Sequence, residues 1–181
     1  LEIIGGDTEV DKTVIEQISD PLVHIIRNSC DHGLEDREER KKTGKTPKGK
    51  ITIEGRHEGG EVWIIVKDDG RGLNKDRILT KALENGIITE GESLTDEEIW
   101  KLIFHPGFST AEKITNVSGR GVGMDVVKKN VEKLNGRIDV KSSEGNGSSM
   151  IIRIPLTLAI IDGMLVQVGE SKYTVPTLSI K

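Results

Sequence analysis

The chain has 181 residues, 34% apolar and 31% charged, and a formal net charge of −4. That balance excludes an intrinsically disordered chain and supplies no basic face for a nucleic-acid partner, while the length allows one domain with a real core plus a fragment of another. The single cysteine, Cys30, excludes an intrachain disulfide and fits a reducing, cytoplasmic compartment; the most apolar stretch, Leu156–Val168, is broken by Asp162 and Gly163 short of a membrane span.

Residues 11–33 carry Val14, Ile15, Ile18, Leu22, Ile25, Ile26, Ser29 and Cys30 at helical spacing, with Gly33 as a natural stop. Ser19-Asp20-Pro21 falls in the middle, so a kink or two helices is expected. The basic run Arg37–Lys50, interleaved with acids and glycines, reads as a solvated loop. Lys50–His57 and Glu61–Asp68 are β-rich and separated by Gly59-Gly60, the signature of an antiparallel hairpin. After the turn Asp68–Gly72, helices are expected near Lys75–Asn85, stopped by Gly86, and at Thr95–Phe104, opened by a Thr95…Glu98 capping box. Residues 105–120 lack periodicity and read as a long, lid-like loop. A helix at Val122–Leu134 and strands at Arg137–Ser142 and Ser149–Pro155 complete an α+β, two-layer sandwich, a mixed but mostly antiparallel sheet with helices on one face.

From Leu156 the texture changes. Met164–Val168 and Lys172–Val175 read as a hairpin opening a second domain, dividing the chain into 1–155 and a cut-off 156–181. The abrupt ends at Leu1 and Lys181 suggest a piece of a longer protein.

Three elements carry candidate chemistry. His24, Asn28 and His32 are four apart and fall within an arc of about 80° on a regular helix, with Asp31 beside them. Asn28 suits magnesium, which takes few protein ligands and keeps several waters; a zinc site from His24, Cys30 and His32 lacks a fourth ligand at a recognisable spacing. In Asp68-Asp69-Gly70-Arg71-Gly72 a strand-end carboxylate can accept from an exocyclic amine while the glycines admit a planar ring. Gly119-Arg120-Gly121-Val122-Gly123 runs into a helix, where outward-pointing amides cradle phosphate. Its spacing is not a dinucleotide fingerprint, and a Walker A loop fails at Gly44-Lys45-Thr46, where the required upstream glycine position holds Glu39. Each element alone also has an ordinary reading as polar helix face, Asp-Gly turn or loop; their order is far more specific.

In that order the chain resembles the ATP-binding domain shared by histidine kinases, DNA gyrase, Hsp90 and MutL, a Bergerat-type fold, from about residue 7 to 155. Within that group it is similar to the chemotaxis histidine kinases of the CheA family. The carrying segments are His24-Ile25-Ile26-Arg27-Asn28-Ser29-Cys30-Asp31-His32-Gly33, Asp68–Gly72, His105-Pro106-Gly107-Phe108-Ser109-Thr110 and Ser118–Val127. His24 stands where sensor kinases and gyrase carry Glu, as it does in that family, and the tail Pro155–Ile160 is similar to the junction with a CheW-like regulatory domain. One departure is Gly147-Ser148 for the usual Gly-Thr, which keeps the hydroxyl.

The resemblance implies a cytoplasmic enzyme that binds ATP with Mg²⁺ and phosphorylates a histidine on a separate phosphotransfer domain. It assigns Asn28 to the metal, Asp68 and Ser148 to adenine, Gly72 to the ring's approach, and Gly121, Val122 and Gly123 to the phosphates. His24 and His32 would orient magnesium-bound water or the γ-phosphate, with Asp31 holding a histidine tautomer. Arg77, Lys81 and Arg120 are either phosphate contacts or a solvated basic edge. Implied partners are response regulators, with a CheW-like adaptor and chemoreceptors reached through a homodimeric parent protein, the fragment itself being a monomer with no nucleic-acid partner and no membrane insertion. The alternative is an ATP-driven clamp of the gyrase, Hsp90 or MutL kind, whose catalytic helix carboxylate is missing at position 24.

Overall fold

The computed structural model describes residues 1–108, 123–156, 163–169 and 171–176. The chain opens with a short strand, β1 (Glu2–Ile4), followed by helix α1 (Lys12–Asn28), whose N-cap Asp11 accepts from the Thr13 amide at 2.8 Å. Of the two expectations at Pro21, a kink or two helices, the second does not occur: α1 runs through it as one helix. Pro21 is itself buried, along with Ile18 and Ile25 on the same helix. An interior proline costs roughly 3 kcal/mol, whereas each fully buried isoleucine contributes about 1.5–3 kcal/mol, so packing of this face outweighs the lost backbone bond.

Beyond Asn28 the helix widens into a π turn, Ser29–Gly33, closed by the Leu34 amide on the Ser29 carbonyl at 2.8 Å. Next, where the basic run suggested a solvated loop, stands a short helix, α2 (Arg37–Lys42). Asp36 caps it by accepting from the Glu38 and Glu39 amides, and Arg40 is only 1% exposed.

Strands β2 (Ile51–Glu58) and β3 (Glu61–Asp68) pair antiparallel from Ile51 opposite Asp68 to Glu58 opposite Glu61. Helix α3 (Lys75–Glu84) starts at the Asn74 cap. Helix α4 (Asp96–Lys101) has the full Thr95/Glu98 capping box and ends in a 3-10 turn, Leu102–Phe104. Of the expected long loop, residues 105–108 are described, with Phe108 buried; the remainder lies outside the described residues. Helix α5 (Met124–Lys133) then leads into β4 (Arg137–Ser143) and β5 (Gly147–Pro155).

The sheet order is β1-β2-β3-β5-β4, with only β1 parallel to its neighbour. Alternation sends Val62, Ile64, Val66, Ile138, Val140, Ile152 and Ile154 inward, where they share one core with Ile18 and Ile25 of α1 and Val127 and Val131 of α5. On the opposite face Trp63 lies between the guanidinium groups of Arg56 and Arg153, 5.0 and 4.9 Å from its ring centre. The fold is therefore the two-layer, mostly antiparallel α+β sandwich expected. The last strands, β6 (Gly163–Val168) and β7 (Ser171–Pro176), form a separate antiparallel pair.

Candidate nucleotide site

Strand β3 ends at Asp68, which the inward alternation leaves only 2% exposed. A buried carboxylate must be compensated, and this one accepts four hydrogen bonds. Oδ1 accepts from two backbone amides, Gly70 at 3.0 Å and Ser148 at 3.2 Å. Oδ2 accepts from two hydroxyls, Ser148 at 2.6 Å and Ser29 at 3.3 Å. One oxygen thus faces donors fixed in the backbone, the other donors that can rotate. Gly33, at the end of the π turn, approaches the same carboxyl closely: a Cβ there would lie 3.4 Å from it.

Two glycines make this convergence possible. Gly147 has φ 92°, and a Cβ on it would overlap the Asp68 carbonyl. Gly72, expected to admit a ring, has φ 74° and its missing Cβ faces the Ser143 carbonyl of β4, so its first requirement is the packing of the turn against the β4–β5 hairpin.

The helix elements meet a second time through Asn28. Its amide nitrogen donates to the Met124 sulfur at 3.3 Å; a thioether can only accept, which leaves the amide oxygen as the group available to a cation. Met124 is the first residue of α5, and the cap residue before it, Gly123, offers no side chain to that helix's first amides, which therefore present the positive end of a ten-residue dipole. His24 is half-buried one turn earlier. Burial first, and the charge of Arg27 second, hold its imidazole below the ordinary value, so it is neutral at neutral pH.

The stripe does not extend to His32. The π turn advances less than the α-helical 100° per residue, and both Asp31 and His32 are exposed, without a side-chain hydrogen bond or ion pair among the described residues. On α3, Arg77 is exposed and Lys81 pairs with Glu84 at 3.4 Å; the helix packs on α4 and the 3-10 turn. Ser148 is in place, with amide and hydroxyl both on Asp68. Arg120, Gly121 and Val122 lie outside the described residues.

Sequence reasoning missed Ser29, which it placed at helical spacing with the apolar residues of the first helix. The signal was present: a serine on the buried side of a helix needs a partner. It also missed Arg40 and Lys45, which bind the back of the Asp68–Gly72 turn; nothing in a run of mixed charge separates a buried arginine from solvated ones.

A family model described as histidine kinase-, DNA gyrase B-, and HSP90-like ATPase matches residues 17–158. The chain is 53% identical, over 99% of its length, to chemotaxis protein CheA of Bacillus subtilis (strain 168), covering 27% of that protein. It is 52% identical over 99% of its length to the sensor histidine kinase CheAY of Helicobacter pylori, covering 23% of that one. The chain thus spans about a quarter of the length of the curated relatives it matches. In fold it is similar to the histidine kinase domain of the Erythrobacter litoralis EL346 blue-light activated histidine kinase, with a TM-score of 0.51, 18% identity and coverage of 86% of this chain and 50% of that one. With the match spanning α1 through β5, the chain belongs to the histidine kinase-, DNA gyrase B- and HSP90-like ATPase family.

Proposed function

We propose that residues 1–155 are the catalytic ATP-binding domain of a CheA-type chemotaxis histidine kinase, and residues 156–181 the start of a CheW-like regulatory domain. The observation that carries the adenine site is the buried Asp68 carboxylate. All four of its lone-pair positions are occupied, and the longest bond, from Ser29 Oγ at 3.3 Å, comes from a hydroxyl free to turn away. The adenine amine enters there, donating to Oδ2, while Ser148 stays on the same carboxylate. The phosphates lie toward the α5 amides and the glycines Gly121 and Gly123 before them.

Asn28, through its amide oxygen, would be the protein ligand for Mg²⁺, and the ion would offset the charge of the phosphates. His24, neutral and half-buried, keeps one N–H and one lone pair for orienting water or the γ-phosphate. The reaction forms a phosphorus–nitrogen bond to a histidine of a separate phosphotransfer domain and breaks the bond to the β-phosphate oxygen, releasing ADP. The parent protein is a cytoplasmic homodimer that passes the phosphoryl group to response regulators and couples to chemoreceptors through a CheW-like adaptor.

Mixing the chain with Mg-ATP and a phosphotransfer domain of a CheA-type kinase should label that domain. Asn28→Ala should abolish transfer while leaving magnesium-free ADP binding within a few-fold. Tight nucleotide binding without transfer sinks the kinase assignment, and hydrolysis without transfer would favour the clamp reading.

A further inference from the structure

Against the Asp68–Gly72 turn lies an ionic cluster centred on the buried Arg40. Arg40 donates through Nη1 to Glu35 at 3.0 Å and to the Asp69 carbonyl at 3.2 Å, through Nη2 to the Asp69 carboxylate at 2.8 Å, and through Nε to the Thr46 carbonyl at 2.7 Å. Lys45 Nζ donates to Glu35 at 2.6 Å and to two successive turn carbonyls, Asp69 at 3.0 Å and Gly70 at 2.7 Å. Burial alone would raise the Glu35 and Asp69 carboxyls. Hydrogen bonds and the charges of Lys45 and Arg40 outweigh it, and both sit below the ordinary range.

The backbone of the turn is consequently accounted for group by group. The Asp69 amide reaches the Lys50 carbonyl, the Gly70 amide reaches Asp68 Oδ1, the Arg71 amide reaches the Gly33 carbonyl, and the Arg71 carbonyl accepts from the Gly145 amide. The carbonyls of Asp69 and Gly70 would have no partner from regular structure; the two cations take both. Removing Arg40, 1% exposed, would leave Glu35 to Lys45 and the Asp69 carboxylate to the Lys50 amide, but it would empty a buried site and take the partner from the Thr46 carbonyl, so its loss would be a folding defect. Lys45 is different, because without it Glu35 and the Asp69 carbonyl keep Arg40 and only the Gly70 carbonyl loses its partner.

We propose that Lys45, backed by Arg40, is a positioning residue for adenine: by fixing the Asp69 and Gly70 carbonyls away from the pocket it holds the Gly70 amide and the Asp68 carboxylate in the orientation that receives the amine. The inference rests on the adenine reading above. It places a specificity device in a segment that never touches the nucleotide, on the principle that a recognition group is only as exact as the shell that holds it.

The test compares ADP with inosine diphosphate, which carries a carbonyl where adenine has the amine, by calorimetric titration of the whole chain and of Lys45→Met. Lys41→Met, an exposed lysine of α2 paired with Glu38, is the control. Lys45→Met should weaken ADP about tenfold, the worth of one misaligned charge-assisted hydrogen bond, and leave inosine diphosphate within about twofold. Lys41→Met should match the parent chain for both. Equal losses for the two nucleotides, or an unchanged ADP Kd beside a lowered Tm, would overturn the positioning role and leave Lys45 a scaffold residue. Failure of the unaltered chain to prefer ADP would instead refute the adenine site itself.

Discussion

Asp68→Asn separates folding from recognition because of how the four donors divide between the oxygens. The amides of Gly70 and Ser148 on Oδ1 cannot reverse, whereas the hydroxyls of Ser29 and Ser148 on Oδ2 can rotate to accept. The substituted side chain therefore seats its carbonyl oxygen on the amides and its NH₂ on the hydroxyls, keeping four hydrogen bonds. Each falls from the charged class of about 1.5–3 kcal/mol to the neutral class of about 0.5–1.5 kcal/mol, partly offset because no charge is now buried. A net folding cost of about 1–2 kcal/mol follows, or roughly 2–8 °C in Tm for a chain of this size. Binding suffers far more. The amine that should donate to Oδ2 meets an NH₂ donor instead, losing a charge-assisted bond and facing a like group. That is roughly 3 kcal/mol, a Kd for ADP raised at least about 100-fold. Calorimetric titration beside a thermal melt reads both numbers. A folded variant binding ADP within threefold of the parent chain would refute the assignment of Asp68 to the base.

Gly147→Ala should be among the most damaging single-methyl changes in the chain, since φ 92° and overlap with the Asp68 carbonyl act together; we expect a loss of about 3 kcal/mol or more in chemical denaturation, and a loss below about 1 kcal/mol would contradict the packing described. His24 gives a pH signature. Its folded value lies below the ordinary 6.5, so as pH falls the unfolded chain takes up the proton first, and stability present above 6.5 is lost progressively below it. His24→Gln should flatten the fall in Tm between about pH 7 and about pH 5.5, and an identical pH dependence in the variant would remove His24 as its source.

What the residues disclosed in advance was what local chemistry specifies. Gly59-Gly60, the Thr95…Glu98 capping box, Gly86 and the strand alternation each encode their own geometry, so the hairpin β2–β3, helices α3 and α4 and the outline of α5 followed directly. The order of the polar helix, acidic turn and glycine loop likewise singled out Asn28 and Asp68 as candidates. What stayed hidden depends on partners distant in sequence. The continuity of α1 through Pro21 is decided by a core assembled from other elements, and β1 has no signal of its own because its pairing partner begins with Thr52 opposite Glu2, some fifty residues on. The run Arg37–Lys50 looks solvated because its charges alternate; only the fold brings Asp69 and the turn carbonyls onto Arg40 and Lys45 and turns two of those cations inward. The π turn was hidden for another reason, since no residue pattern announces it and extrapolating 100° per residue past Asn28 sends His32 to the wrong place.

The same π turn explains how, in the proposed site, one segment would serve both ends of a nucleotide. Asn28 and Ser29 are consecutive, the last residue of α geometry and the first of π geometry, and their side chains diverge: one reaches Met124 at the start of α5, the other Asp68 at the end of β3. A ligand that draws the Ser29 hydroxyl off Asp68 therefore acts on the peptide unit that also carries the candidate metal ligand. On the far side, the turn bearing Asp68 cannot yield, because Arg40, Lys45, Gly33 and Gly145 hold its backbone. Of the two elements that would meet at the base, the turn is the more heavily braced, so a displacement on binding would fall on the end of α1. In the proposed site, adenine recognition and the placement of Asn28 beside the start of α5 would in that way be mechanically one event.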